Sequence, residues 1–171
     1  GVMFPRLDSA EEVGRAIRHL RYPPDGHRGV ATYNRACGFG QRPEALETAN
    51  EQVVGIVQIE SAAALSAVEE IARIPGVDVL FLGPADLSHA LGVPGRLDSP
   101  EFQAAVVRVS AAAQAAGISA GILAADRDRA ADYVDQGFTF LAVASDSALM
   151  GIAARAAARP LDSVRQAVSA R

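Results

Sequence analysis

Two stretches of the chain share one pattern. Val53-Val54-Gly55-Ile56-Val57-Gln58-Ile59-Glu60 and Val77-Asp78-Val79-Leu80-Phe81-Leu82-Gly83-Pro84-Ala85-Asp86 are apolar, β-branched runs that close on a polar cluster carrying a carboxylate. Near-continuous apolar runs of this length fit buried parallel strands, which deliver functional groups at their C-terminal ends. Read with the same rule, the chain predicts strands at about 1–5, 53–59, 77–82, 118–123 and 138–143.

Between the strands the period changes to that of helices. Ser9 with Glu12 has the form of a capping box, and Val13, Ala16, Ile17 and Leu20 then recur on one face until Tyr22-Pro23-Pro24. Ser61 opens a helix with Leu65, Val68, Ile71 and Ala72 inward, and Pro75-Gly76 closes it. Ser99-Pro100 starts another, with Phe102, Ala105, Val106, Val109 and Ala113 leading to Gly117, and a further helix covers about 126–136. Residues 31–43, rich in Gly, Asn and Arg, predict an active-site-type loop or irregular helix, followed by a short helix over about 43–51. Two alanine-rich helices separated by Pro160 are expected at the end, giving a main domain over 1–159 and a terminal helix over 160–171.

Alternating strands and helices with short connections call for a parallel sheet with right-handed crossovers. Five strands make either a small open doubly wound sheet or most of an eight-stranded barrel. No Gly-x-Gly-x-x-Gly loop and no Walker lysine follows a strand, which weakens the nucleotide-binding form of the open sheet.

Composition narrows the partners. The 171 residues are half apolar, enough for a sizeable core, and carry a formal charge of -4 with signs interspersed. With 5% aromatic residues and no basic stripe, nucleic acid is not an expected partner. Nor is a membrane, since no apolar run approaches the roughly 20 residues that span a bilayer and no leader-like segment is evident. The single cysteine, Cys37, excludes an internal disulfide framework and fits a reducing, cytoplasmic setting. Gly1-Val2-Met3-Phe4-Pro5 opens as though already inside a strand, which predicts further chain upstream.

Glu60 and Asp86 lie 86 − 60 = 26 positions apart, about one strand-helix repeat, so neighbouring strands can bring both carboxylates to one rim. Hard divalent cations take oxygen ligands and often need only one or two protein carboxylates. Gln58 points the same way as Glu60 by strand alternation and is placed to orient a metal-bound water. A plainer reading stands beside this one: Glu60 as a carboxylate favoured at a helix start, and Asp86 as a turn residue. Gly83-Pro84-Ala85 is either a tight turn or a strand end whose exposed N–H groups receive a substrate carboxylate.

The motifs Gly-Val-Met-x-Pro at 1–5, Arg21-Tyr22-Pro23-Pro24 with Gly26 and Arg28-Gly29-Val30, Val57-Gln58-Ile59-Glu60, Gly76-Val77-Asp78 and Gly83-Pro84-Ala85-Asp86-Leu87-Ser88 closely resemble the HpcH/HpaI family of metal-dependent pyruvate aldolases. Gly121-Ile122-Leu123 and Phe140-Leu141-Ala142-Val143 with Asp146 extend the likeness over essentially the whole chain. The nearest flavour is the 2-keto-3-deoxy-glucarate or 2,4-dihydroxyhept-2-ene-1,7-dioate aldolase type.

The resemblance implies an α/β (β/α)8 TIM barrel that lacks its first three strands in this chain. It implies a divalent metal, Mg2+ or Mn2+ with Co2+ as a further option, held by Glu60 and Asp86 beside Gln58. The substrate would lie against Gln58, Gly83, Pro84, Ala85 and Asp86, with its carboxylate at the backbone of Ala85 and Asp86 and its aldehyde part near Leu123. The reaction implied is reversible cleavage of a 4-hydroxy-2-oxo acid to pyruvate and an aldehyde, by a homo-oligomer that packs a C-terminal helix on a neighbour. This sequence contains no lysine, so a Schiff-base route through its own residues is closed. The family's histidine base, its aspartate partner and its arginine have no counterpart here. His19 and His27 read as solvated, and His89, the histidine nearest the rim, does not match the base position. Two alternatives remain: a non-catalytic metal- or carboxylate-binding remnant, and a CoA-ester lyase of the same superfamily, disfavoured by few basic residues for nucleotide phosphates.

Overall fold

The computed structural model describes residues 1–124 and 127–169. Five strands, β1 (Val2–Phe4), β2 (Gly55–Ile59), β3 (Val79–Leu82), β4 (Ser119–Leu123) and β5 (Phe138–Ala142), form one parallel sheet in the order β1-β2-β3-β4-β5. That order decides between the two architectures the sequence left open. A doubly wound sheet reverses direction at a switch point, whereas barrel staves follow one another without reversal. The chain therefore forms five adjacent staves of a barrel.

The helices α1 (Ala10–Arg18), α2 (Ala49–Gln52), α3 (Ala62–Ser66), α4 (Val68–Ala72), α5 (Pro84–Ala90), α6 (Pro100–Ala116), α7 (Arg127–Asp135) and α8 (Asp146–Ser169) connect or follow the strands. Alternation within the strands divides the apolar side chains between two faces. Val57, Ile59, Leu80, Leu82, Ala120 and Ile122 pack with Val13, Ile17, Val68, Phe102 and Val109 of the helices. Ile56, Val79 and Phe81 form a second cluster on the opposite face, where Phe140 meets Phe81 edge-on at 6.1 Å between ring centroids. Gly121 lies beneath these rings, and a Cβ there would come within 2.8 Å of the Phe81 ring.

Local signals explain several boundaries. Ser99 caps α6 by accepting the Phe102 N–H at 3.2 Å, and Gly117 ends it at φ 70, where its N–H and that of Ile118 reach back to the Gln114 and Ala113 carbonyls. At α1 the capping box is offset. Ser9 Oγ accepts from Glu12 N–H at 3.2 Å, but the Glu12 carboxylate accepts from Asp8 N–H at 2.8 Å rather than from Ser9.

Other expectations are corrected. The helix opened by Ser61 breaks at Ala67 into α3 and α4. Ser66 Oγ donates back to Ala62 O at 2.8 Å, and Arg108 Nη2 donates to Ser66 O, so this turn's carbonyls are drawn away from the regular ladder. The region 43–51 is two short pieces, a 3-10 turn over Pro43–Leu46 and α2. Pro160 does not separate two helices: α8 runs unbroken from Asp146 to Ser169, sustained by strong helix formers such as Ala153, Ala154 and Ala156. Residues 35–40 form an irregular 3-10 segment, as one of the two readings had it, yet not at an active-site rim. Cys37, Arg42 and Leu46 line a cavity with Gly1 and Val53, which precede β1 and β2, so this loop sits at the foot of the sheet.

Candidate active site

Because the strands are parallel, their C-terminal ends share one rim. Glu60 follows β2 there, Gly83 and α5 follow β3, Leu123 ends β4, and Pro5-Arg6 follows β1. All seven residues singled out in the sequence, Gln58, Glu60, Gly83, Pro84, Ala85, Asp86 and Leu123, line a single cavity of ≈ 450 Å³. Phe81 from the inner face contributes to its wall, as do Gly95 and Leu97 of the loop after α5. That loop is fastened from below: buried Ser88 donates its hydroxyl to Ala85 O at 2.8 Å and accepts the Gly95 N–H at 3.1 Å.

Glu60 is the buried member of the carboxylate pair, 7% exposed. Its Oε1 accepts the Arg6 N–H at 2.8 Å. Its Oε2 passes over Gly83, where a Cβ would stand 3.0 Å from that oxygen and 3.0 Å from the Glu60 Cβ. Gly83 has an ordinary φ of -90, so glycine is favoured here by the close approach of Glu60 rather than by backbone conformation. Asp86, in the first turn of α5, has a side chain 58% exposed, with Oδ1 3.7 Å from Arg6 Nη1. One residue thus touches both carboxylates, with its backbone on Glu60 and its guanidinium on Asp86.

Arg6 and its loop were missed in the sequence. Arg6 adopts φ 53, a left-handed conformation uncommon outside glycine. Two residues on, Asp8 Oδ1 accepts the Ser61 hydroxyl, so the β1–α1 loop is stapled to the end of β2 at two adjacent points. The signal was available: Arg6 stands just past its strand, as Glu60 and Asp86 stand past theirs. A three-residue strand without a terminal carboxylate concealed it.

The donor set suits a hard cation that asks little of the protein. A buried carboxylate keeps one oxygen over a glycine cradle, a second carboxylate lies on the same cavity, and Gln58 adds an amide. Among the described residues no group of three or more His, Cys, Asp or Glu is placed to hold a metal. Ala85 and Asp86 also precede the first intrahelical bond of α5, which runs from Leu87 N–H to Gly83 O. His89 lines the cavity from the exposed side of α5, while His19 and His27 are exposed with rings 6.1 Å apart.

Comparison with known proteins places the chain among relatives of one family. The chain is 50% identical over 149 residues to a hydroxypyruvate/pyruvate aldolase of Paraburkholderia phytofirmans, covering 85% of this chain and 57% of that protein. It is 42% identical over 149 residues to a 2-dehydro-3,6-dideoxy-6-sulfogluconate aldolase of Pseudomonas putida, covering 87% and 58%. The crystal structure of an HpcH/HpaI aldolase/citrate lyase family protein from Burkholderia cenocepacia J2315 matches with a TM-score of 0.85 at 42% identity, over 94% of this chain and 64% of that one. The chain spans less than two-thirds of the length of each. The model of the family described as HpcH/HpaI aldolase/citrate lyase matches residues 1–153, and the chain belongs to that family.

Proposed function

We propose that this chain carries the cation- and substrate-binding half of a metal-dependent aldolase that cleaves a 4-hydroxy-2-oxo acid reversibly to pyruvate and an aldehyde. The observation that carries this reading is the convergence of Glu60 and Asp86 on one cavity, joined through Arg6. Glu60 and Asp86 hold the divalent cation, Mg2+ or Mn2+ with Co2+ as a third option, and Gln58 sits beside them to orient a water. The cation, when bound, supplies a Lewis acid that draws electron density from the keto group as the carbon–carbon bond breaks.

The chain's own groups do the rest of the binding. The N–H groups of Ala85 and Asp86 receive the substrate carboxylate, and Gly83 leaves Glu60 the room it needs. Leu123 forms an apolar wall on the aldehyde side, with Phe81 nearby. The assembled enzyme is a homo-oligomer. Leu149, Met150 and Ile152, all exposed on α8, with Val143 just before it, make the apolar surface through which this end of the chain meets a neighbour. A cytoplasmic location goes with the same reading; among the described residues no helix is long and apolar enough to cross a membrane.

The test is pyruvate release from a 4-hydroxy-2-oxo acid with added Mg2+ or Mn2+, with EDTA, and with Glu60→Ala. Turnover lost to chelator and to the substitution supports the aldolase. Metal binding without turnover in the full-length protein leaves a binding remnant, and no metal binding removes the site altogether.

A further inference from the structure

Helix α1 runs from the rim, where β1 ends, back to the foot of the sheet, where β2 begins, and its last turn meets the turn over 22–28. Two of the chain's three histidines come together there. His19 is the C-cap of α1, its N–H donating to Ala16 O, and His27 donates its N–H to Arg18 O at 2.7 Å. The turn is pressed onto the helix end. Arg28 N–H reaches Arg21 O at 2.9 Å, and a Cβ on buried Gly26 would collide with the Arg18 and Arg21 carbonyl oxygens. The backbone therefore fixes both histidines, while both residues remain exposed. Their ring centroids stand 6.1 Å apart at 59°, and neither ring has a hydrogen-bond or ionic partner among the described residues.

We propose that His19 and His27 form a two-imidazole site for a borderline divalent ion, Cu2+, Ni2+ or Zn2+, separate from the oxygen-lined cation site at the rim. The spacing carries this inference. With metal–nitrogen bonds of about 2.0–2.1 Å, two imidazoles on one ion hold their ring centres about 5.2 Å apart at a tetrahedral angle and about 6.4 Å apart when opposed. The observed 6.1 Å lies inside that limit, and exposed rings turn freely enough to close the difference. No third His, Cys, Asp or Glu joins them among the described residues, so water completes the coordination. Imidazole suits these ions and hard ions prefer carboxylates, so ligand softness sorts the foot from the rim. The negative end of the α1 dipole favours a cation beside His19 and offsets the charge of Arg18. A bound ion ties α1 to the turn that Asn50 holds through Tyr22 and Asp25, and so stiffens the foot.

Copper reports its own ligands. With the rim saturated by Mg2+, one equivalent of Cu2+ added to the untagged protein gives an electron paramagnetic resonance spectrum coupled to two imidazole nitrogens. His19→Gln and His27→Gln each leave one coupled nitrogen at most. Each lowers Cu2+ affinity by at least about tenfold, the lower bound for losing even an outer neighbour of a metal site. Zn2+ raises the unfolding midpoint of the parent and not that of the double variant, because an ion stabilises only the fold that binds it. His89→Gln, which removes the histidine at the rim, changes none of these readings.

Two-nitrogen coupling that persists in the double variant, or that disappears in H89Q, overturns the inference. A parent spectrum without imidazole nitrogen does the same. None of these readings involves turnover, so the aldolase reading stands or falls separately.

Discussion

At the scale of single residues, the site depends on atoms that are missing as much as on those present. Gly83 has no Cβ, and one built there would press on Glu60 at 3.0 Å from both its Cβ and its Oε2. Gly83→Ala therefore pushes the Glu60 carboxylate aside, and Mn2+ affinity falls about tenfold, as when a supporting neighbour of a metal ligand is lost. Calorimetric titration checks this, and unchanged affinity would show that the cradle does not matter. Far from the site, Arg108 donates two hydrogen bonds of 2.9 Å to Glu69 and lowers its carboxyl to a pKa of about 2. A depressed carboxyl adds stability that is full above its unfolded value and vanishes as pH falls through the folded one. Both side chains are 43% exposed, so solvent limits the contribution to about 0.5 kcal/mol. The stability difference between the parent and Glu69→Gln shrinks toward zero as pH is lowered from about 5 to about 2, readable from urea titrations along that range. Residue by residue, the sequence disclosed the carboxylates because each ends a long apolar run. It hid Arg6, because the strand before it is only three residues long and ends in no carboxylate.

At the scale of elements, the strands and the capped helices α1 and α6 were legible, while the short irregular pieces and the unbroken course of α8 were not. The five expected strands appear with ends moved by one or two residues, since a buried apolar run is a strong signal. The bend between α3 and α4 was not, because it arises from Arg108 on α6 reaching the Ser66 carbonyl, a contact 42 residues distant. Pro160 misled in the other direction: a proline raises the chance of a break, while alanine-rich flanks carry the helix through. For α6 the cap is the element's main local determinant. Ser99→Ala costs about 1 kcal/mol, lowering the unfolding midpoint by about 2–4 °C, and a scanning calorimeter decides the matter. An unchanged midpoint would mean that packing of Phe102 and Val106 alone defines the start.

At the scale of the whole molecule, the five staves place different work at their two ends. The rim carries the cavity. The foot carries clamps: Asn50 accepts from Tyr22 N–H at 2.7 Å and donates to Tyr22 O and to the Asp25 carboxylate, while Asp78 accepts the Gly55 N–H at 2.7 Å. The loop over 31–43 belongs to this lower end, and its glycine-rich composition could not say which end it would join. Asn50→Ala removes three hydrogen bonds and destabilises the chain by about 1–3 kcal/mol, with Mn2+ affinity unaltered. Denaturant melts and metal titrations of the same sample test both halves of that statement. The division bears on engineering. Changes that share no partners tend to add without interference. A library randomised around Leu97 and Leu123 to reshape the cavity can thus be raised in a background stabilised at the foot, with the Asn50 clamp itself kept, each set of substitutions blind to the other.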